Sequence, residues 1–302
     1  MKIIRRAAVR VPATTSNLGP GFDCLGLALG LYNEVRAELY DKKGPIEVVI
    51  EGEGAGVLPE DETNPIARAA KTLGGFDGRV VLRCINRIPL ARGLGSSAAA
   101  AAAGLLAADK LLDLKTSKEQ LLSYAAVLEG HPDNAAAALQ GGLVLSVKEA
   151  KTYSTFPLPV HKDLCAVVCV PDFELPTKEA RAVLPHTVLL SDAVENVARV
   201  SLLVSALAAG RWKELGAAMR DRLHEPYRAR LVPGLHKVCE VARAAAPCGA
   251  ALSGAGPSVL ALCKKGEGAE KIGVAMQAAF FTAGKKSKIL TLPIDRKGAT
   301  VS

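Results

Sequence analysis

The sequence predicts an α+β protein built from two domains. Three observations carry this. Candidate strands and helices mix without strict βαβ alternation. The 302 residues are too many for one average core and suit one large or two modest domains. Charge and polarity rise at Lys148–Ser154, between two aliphatic halves. The expected domains are residues 1–153 and residues 154–302.

The elements follow in order. Ala7–Val11 alternates and reads as a strand, and Pro12–Gly21 is rich in turn formers and reads as a loop. Strand-like alternation resumes at Leu25–Leu31 and Asn33–Leu39, and Ile46–Ile50 is β-branched. Asn64-Pro65 opens a helix through Lys71, with Pro in the first turn, and Arg79–Ile85 is a strand. A Gly-rich loop then leads into a long helix from about Ser96, with Ser as its expected cap. Six consecutive Ala, Ala98–Ala103, favour the helix and lack bulk. That suits a central buried helix rather than a surface one. Ser117–Leu128 is a further helix, broken at Gly130-His131-Pro132-Asp133-Asn134 and restarted at Ala135–Leu139. Gly141-Gly142 turns into the strand Leu143–Val147. Beyond the junction come a strand at Cys165–Val170 and helices at Leu189–Ala209, Trp212–Arg220 and Pro233–Ala245. Gly249–Leu262 is strand–turn–strand, Ala269–Ala283 a helix and Lys288–Leu292 a strand.

Composition narrows the function. Hydrophobic residues make up 49% and charged residues 23%, which excludes a disordered chain. Aromatics are only 4%, too few for a base-stacking surface. The net charge of +8 is scattered, with no basic run of five or six residues. No nucleic-acid partner is expected, although such a field also attracts a charged small substrate. The seven Cys are an odd number with no pairing or zinc pattern, and read as free thiols in a reducing compartment. Cys165 and Cys169 fall on one face of their strand. No signal segment or membrane span is apparent, so a soluble cytoplasmic protein is expected.

The chemistry is concentrated at Gly93-Leu94-Gly95-Ser96-Ser97. Two Gly let the backbone turn its N–H groups to one side, and the helix behind them adds unpaired N–H groups and partial positive charge. This is a backbone anion site suited to phosphate, or else a Gly-rich turn capping a core helix. Ser97 supplies a hydroxyl where phosphate-bound Mg²⁺ would sit. The loop lacks the Lys and the spacing of the common P-loop, and it is no dinucleotide fingerprint.

Residues Pro89, Leu90, Ala91, Arg92, Gly93, Leu94, Gly95, Ser96, Ser97, Ala98 and Ala99 resemble the phosphate loop of the superfamily named for galacto-, homoserine, mevalonate and phosphomevalonate kinases. Residues 10–35, opening Arg-Val-Pro-Ala-Thr-Thr-Ser-Asn-Leu-Gly-Pro-Gly-Phe-Asp, resemble its N-terminal signature, and residues 252–258, Leu-Ser-Gly-Ala-Gly-Pro-Ser, its C-terminal glycine motif. The first block, with Asn17 and Asp23, and Glu129-Gly-His131-Pro132-Asp133-Asn134 are similar to the homoserine kinases within it. The resemblance spans essentially the whole chain. It implies a two-domain small-molecule kinase fold, with a left-handed βαβ crossover like ribosomal protein S5 domain 2 in the first domain and a ferredoxin-like second domain. It also implies ATP, Mg²⁺, phosphorylation of the hydroxyl of L-homoserine on the route to threonine, and a homodimer.

The resemblance further implies roles that chemistry can test. Ser97 and Glu129 match metal-ligand positions, and Mg²⁺ takes hard oxygens. Asn17 and Asp23 match the end of the site that takes the substrate amine, and Arg181 and Arg228 the end that takes its carboxylate, a task suited to a planar fork. Asn134 matches the residue that orients the attacking hydroxyl. Asp133 beside it is a positioning group or a base, because a loose transition state asks little of the nucleophile. His131, before Pro132, is a structural hydrogen bonder or a substrate contact. Thr177 is placed at the transferring phosphoryl and Asn64 at the adenine side. Arg87 and Arg92 are open between phosphates and surface, and Ser253–Ser258 is expected to shape the pocket floor. A sister kinase for mevalonate would have no use for Asp23 at an amine, and a catalytically dead sensor would not need Ser97, Glu129 and Asn134 intact.

Overall fold

A computed structural model describes residues 1–150 and 152–302. The first layer comprises β1 (Ile3–Asn17), β2 (Gly21–Tyr40), β3 (Ile46–Gly52), α1 (Pro65–Thr72), β4 (Val80–Asn86), α2 (Ser96–Leu112), α3 (Lys118–Glu129), α4 (Asp133–Gln140), β5 (Leu143–Glu149) and β6 (Thr152–Leu158). The second comprises β7 (Leu164–Pro171), α5 (Thr177–Ala182), α6 (Leu190–Ala209), α7 (Leu215–Ala218), α8 (Glu225–Arg228), α9 (Leu235–Ala245), β8 (Cys248–Leu252), β9 (Val259–Lys264), α10 (Ala269–Thr282) and β10 (Ser287–Pro293). A last short strand, β11 (Thr300–Val301), returns to pair with β1.

The first sheet runs β11-β1-β2-β4-β3, with the β5–β6 hairpin joined through β2. Its one parallel pair, β3 with β4, is bridged by α1 as a crossover unit. The second sheet runs β10-β7-β9-β8, all antiparallel, which is the ferredoxin-like order. Together these make the two-domain α+β fold expected from the sequence. Cys165 and Cys169 do share a face, packed with Val167 under α10. All seven Cys are free.

Three differences have local causes. The loop expected at Pro12–Gly21 is strand as far as Asn17, because Ala13–Ser16 pair with Gly26–Leu29 across the sheet. Pro12, which has no N–H to give, sits at the register shift. The two strands expected at Leu25–Leu31 and Asn33–Leu39 are one, β2, and the apparent break between them is a bulge opposite that shift. The polar stretch Lys148–Ser154 ends β5 and begins β6, so the first sheet continues to Leu158. Residue 151 within that stretch lies outside the described residues.

Helix α2 is the pillar of the first domain. Ala98, Ala99 and Ala101–Ala103 are buried, as the Ala run predicts. Its small side chains let α1 and β1 approach closely, and its N-terminus opens into a cleft lined by both domains.

Candidate active site

The helix start differs from the sequence expectation in one useful way. Its cap is Gly95, not Ser96, with φ +66° and no side-chain bond to the first turn. A Cβ at Gly95 would overlap the Thr14 hydroxyl. Gly93, at φ +72°, turns the chain before it, and there a Cβ would overlap the Ser253 carbonyl. The first-turn N–H groups of Ser96, Ser97 and Ala98 have no partner among the described residues. They remain open to an anion, as a helix N-terminus allows.

One cleft gathers most of the expected residues. Its wall includes Asn17, Asp23, Ala91–Ser97, Glu129, His131, Asp133, Asn134, Thr177, Arg181 and Arg228, with Ser16, Gly254 and Ala255. The first domain contributes the turn after β1, the start of α2 and the α3–α4 break. The second contributes α5, α8 and the glycine motif between β8 and β9. Ala91, Ser96, Ser97 and Thr177 also border an apolar cavity of about 390 Å³, which Asn64, Leu90, Ala99 and Ala103 help to line. Asn64 is fixed there as the cap of α1, accepting from Ile66 N–H at 3.0 Å.

Pro89 and Ala98 are buried and line neither space with their side chains. Arg92 borders the cleft, but its guanidinium donates to the carbonyls of Leu90, Pro171 and Asp172 and pairs with Glu174. It ties the loop to the end of β7. Arg87 pairs with Glu34 at 3.2 Å, outside the cleft.

At the mouth of the loop, Ser97 donates to Glu129 Oε1 at 2.6 Å. Burial raises the Glu129 carboxyl above its ordinary pKa, against the opposing Ser97 bond. A carboxylate and a hydroxyl in contact beside unpaired amides form a hard-oxygen donor set, which fits Mg²⁺ held jointly with phosphate oxygens.

The α3–α4 break forms a second knot. Asp133, which is buried, takes three contacts on Oδ1: His131 Nδ1 at 2.8 Å, Asn134 N–H at 2.7 Å and Asn134 Nδ2 at 3.2 Å. Burial pulls the His131 ring down, but the bond and charge of Asp133 outweigh it and leave its pKa raised. Asn134 accepts from Thr14 at 2.8 Å and donates to Ser16 at 2.9 Å. It is rigidly held and keeps one Oδ1 lone pair. Thr14 and Ser16 lie in the N-terminal motif, but only the strand pairing of β1 shows that they hold Asn134.

Opposite charges meet at the far end. Arg181 forks onto Asp23 at 2.7 and 3.0 Å, a bond that raises the Arg181 pKa. Asp23, at φ +57°, donates its N–H to Asn17 Oδ1, and Asn17 donates to the Gly254 carbonyl at 2.9 Å. Arg228 is 1% exposed and lies over Phe22 at 5.3 Å. Burial lowers its pKa to about 10, which leaves it charged at neutral pH. Phe22 was not singled out in the sequence, where a lone aromatic among turn residues gives no signal.

The chain is similar to known kinases along most of its length. The model of the N-terminal domain of GHMP kinases matches residues 64–142, and that of their C-terminal domain matches residues 203–282. The chain is 42% identical to the homoserine kinase of Moorella thermoacetica over 297 residues, covering 97% of this chain and 99% of that one. Its fold is similar to the crystal structure of homoserine kinase from Cytophaga hutchinsonii, with TM-score 0.88, 35% identity and coverage of 100% and 99%. It is also similar to the structure of a putative homoserine kinase from Listeria monocytogenes, with TM-score 0.78, 34% identity and coverage of 98% and 99%.

Proposed function

The chain belongs to the homoserine kinase family of the GHMP kinases, and on that premise we propose how its cleft carries the reaction. The activity is ATP-dependent phosphorylation of the side-chain hydroxyl of L-homoserine to O-phospho-L-homoserine, a step of threonine biosynthesis, with Mg²⁺.

The apolar cavity beside Asn64 takes the adenine end, and the triphosphate runs over the free amides of Ser96–Ala98. Ser97 and Glu129 would hold Mg²⁺, which would supply positive charge to offset that of the phosphates. The substrate zwitterion lies across the cleft, its amine toward Asp23 and Asn17 and its carboxylate toward Arg181 and Arg228. Binding exchanges the Asp23–Arg181 pair for two pairs with the ligand, so no charge is left alone. The hydroxyl then points at Asn134, and Thr177 borders the transferring phosphoryl. Asp133 orients Asn134 and His131. With three donors already on one oxygen, it serves better as a positioning group than as a strong base, and the loose transition state needs none.

One observation carries this reading. Unpaired helix amides and paired opposite charges face the same cleft, one for an anion and the other for a zwitterion. The test is transfer of labelled phosphate from ATP to homoserine, serine and threonine. Homoserine is expected to be labelled fastest, and a faster rate with serine or threonine overturns the substrate assignment.

The reading extends to a homodimer in the cytoplasm. Free, mostly buried thiols support a reducing setting. Among the described residues, no helix is long and apolar enough to cross a membrane. Light scattering on the purified chain tests the dimer.

A further inference from the structure

One buried imidazole is left without a role in this scheme. His224, just before α8, is 0% exposed, and both its ring nitrogens are engaged. Nε2 lies 2.9 Å from the Gly19 carbonyl, and Nδ1 lies 3.2 Å from an Arg228 terminal nitrogen. A carbonyl only accepts and a guanidinium only donates. The two contacts therefore define one neutral tautomer, in which Nε2–H donates to Gly19 and bare Nδ1 accepts from Arg228. The ring stacks on Phe22, with centroids 5.1 Å apart.

Arg228 is anchored on two further sides. Its Nε donates to the Ala180 carbonyl at 3.1 Å, and the nitrogen facing His224 also donates to the Gly254 carbonyl at 3.2 Å. Its other terminal nitrogen has no partner among the described residues, and Arg228 borders the cleft.

We propose that His224 is a positioning residue for the amino-acid substrate, holding the Arg228 guanidinium with its free edge toward the carboxylate while tying it to the turn that carries Asn17 and Asp23. One imidazole thereby couples the two poles of the zwitterion site. A proton on Nδ1 would set donor against donor and cation against cation, and burial opposes that charge. The nearby acid, Asp221, lies 3.7 Å from Nε2, with its oxygens taken by the N–H groups of Leu223, His224 and Glu225 and by Asn196.

The proposal rests on the assignment of Arg228 to the substrate carboxylate, and two conservative variants of the full chain test it. His224→Asn keeps an acceptor near the Nδ1 position. His224→Gln keeps only a donor near the Nε2 position. Losing a bond to a charged group predicts a homoserine KM about tenfold higher in His224→Gln. In His224→Asn the rise should stay below about threefold, and in both variants kcat and the ATP KM should stay within about twofold. Equal rises, no rise, a matching loss of ATP affinity, or no folded fraction in either variant overturns the proposal. Arg228→Leu, assayed alongside, separates this from the underlying assignment. An unchanged homoserine KM there overturns the assignment itself. A raised KM without the Asn–Gln difference overturns only the role of His224.

Discussion

Glu129 brings a single carboxylate to the start of α2, and its surroundings make that carboxylate want a cation. Burial raises its pKa, and its contact in the structure is the Ser97 hydroxyl. A divalent ion on the same oxygens relieves the burial cost. Glu129→Gln keeps the shape and removes the charge. Losing a charge-assisted contact of about 1.5–3 kcal/mol should raise the Mg²⁺ needed for half-maximal rate roughly tenfold or more. Initial rates across a Mg²⁺ titration check this, and an unchanged midpoint removes Glu129 from the metal shell. Glu225 poses a different problem. Its carboxyl accepts from Leu252 N–H, and burial pushes its pKa from 4.5 up to about 8. The folded protein therefore binds this proton more tightly than the unfolded chain. Its contribution to stability is complete below about pH 4.5 and is lost as pH rises through about 8. Glu225→Gln should flatten the fall in Tm across that window, and parallel Tm profiles for the two proteins would contradict this.

At the scale of elements, the first half of α2, Ser96–Gly104, packs closely because nothing on it is large. Gly104, inside the helix, faces the Ile66 carbonyl of α1, and an added Cβ would overlap that oxygen. Gly104→Ala should gain helix propensity yet lose about 1–3 kcal/mol overall through overpacking. Because α1 is capped by Asn64, beside the apolar cavity, the ATP KM should rise more than the homoserine KM. Denaturant unfolding with paired KM measurements checks both, and a stabilised variant would sink the argument. The same helix shows what a sequence can disclose. The Ala run and the aliphatic β7 are local patterns, and each is legible in the sequence. The second half of β1 was not, because its turn-forming residues become strand only by pairing with distant Gly26–Leu29. The site divides in the same way. Ser97, Glu129, Asn134 and the two arginines stand in motifs, whereas Thr14, Ser16 and His224 act through contacts that only the fold creates.

Taken whole, the molecule is two sheets that share one apolar core and are also tied by polar bonds beside the cleft. Ser253, in the glycine motif of the second domain, donates to the Gly93 carbonyl at 2.6 Å and lies 2.9 Å from the Thr15 hydroxyl. Its neighbour Gly254 receives Asn17 on its carbonyl and gives its N–H to Ser16 at 3.2 Å. Leu175 N–H reaches the Ala91 carbonyl at 3.1 Å. The phosphate loop and the amino-acid turn, both from the first domain, are thus gripped by one motif of the second. A change there should be felt at both substrates, unlike a change at Arg228. Ser253→Ala leaves the half-buried Gly93 carbonyl and the buried Thr15 hydroxyl without that partner, at a cost of about 1–3 kcal/mol. The expected outcome is a lower Tm with ATP and homoserine KM raised together by similar factors of roughly three to ten, since part of that cost falls on each binding geometry. Thermal unfolding and two-substrate kinetics on the same preparation decide it. A rise in one KM alone would show that the two halves of the cleft are held independently.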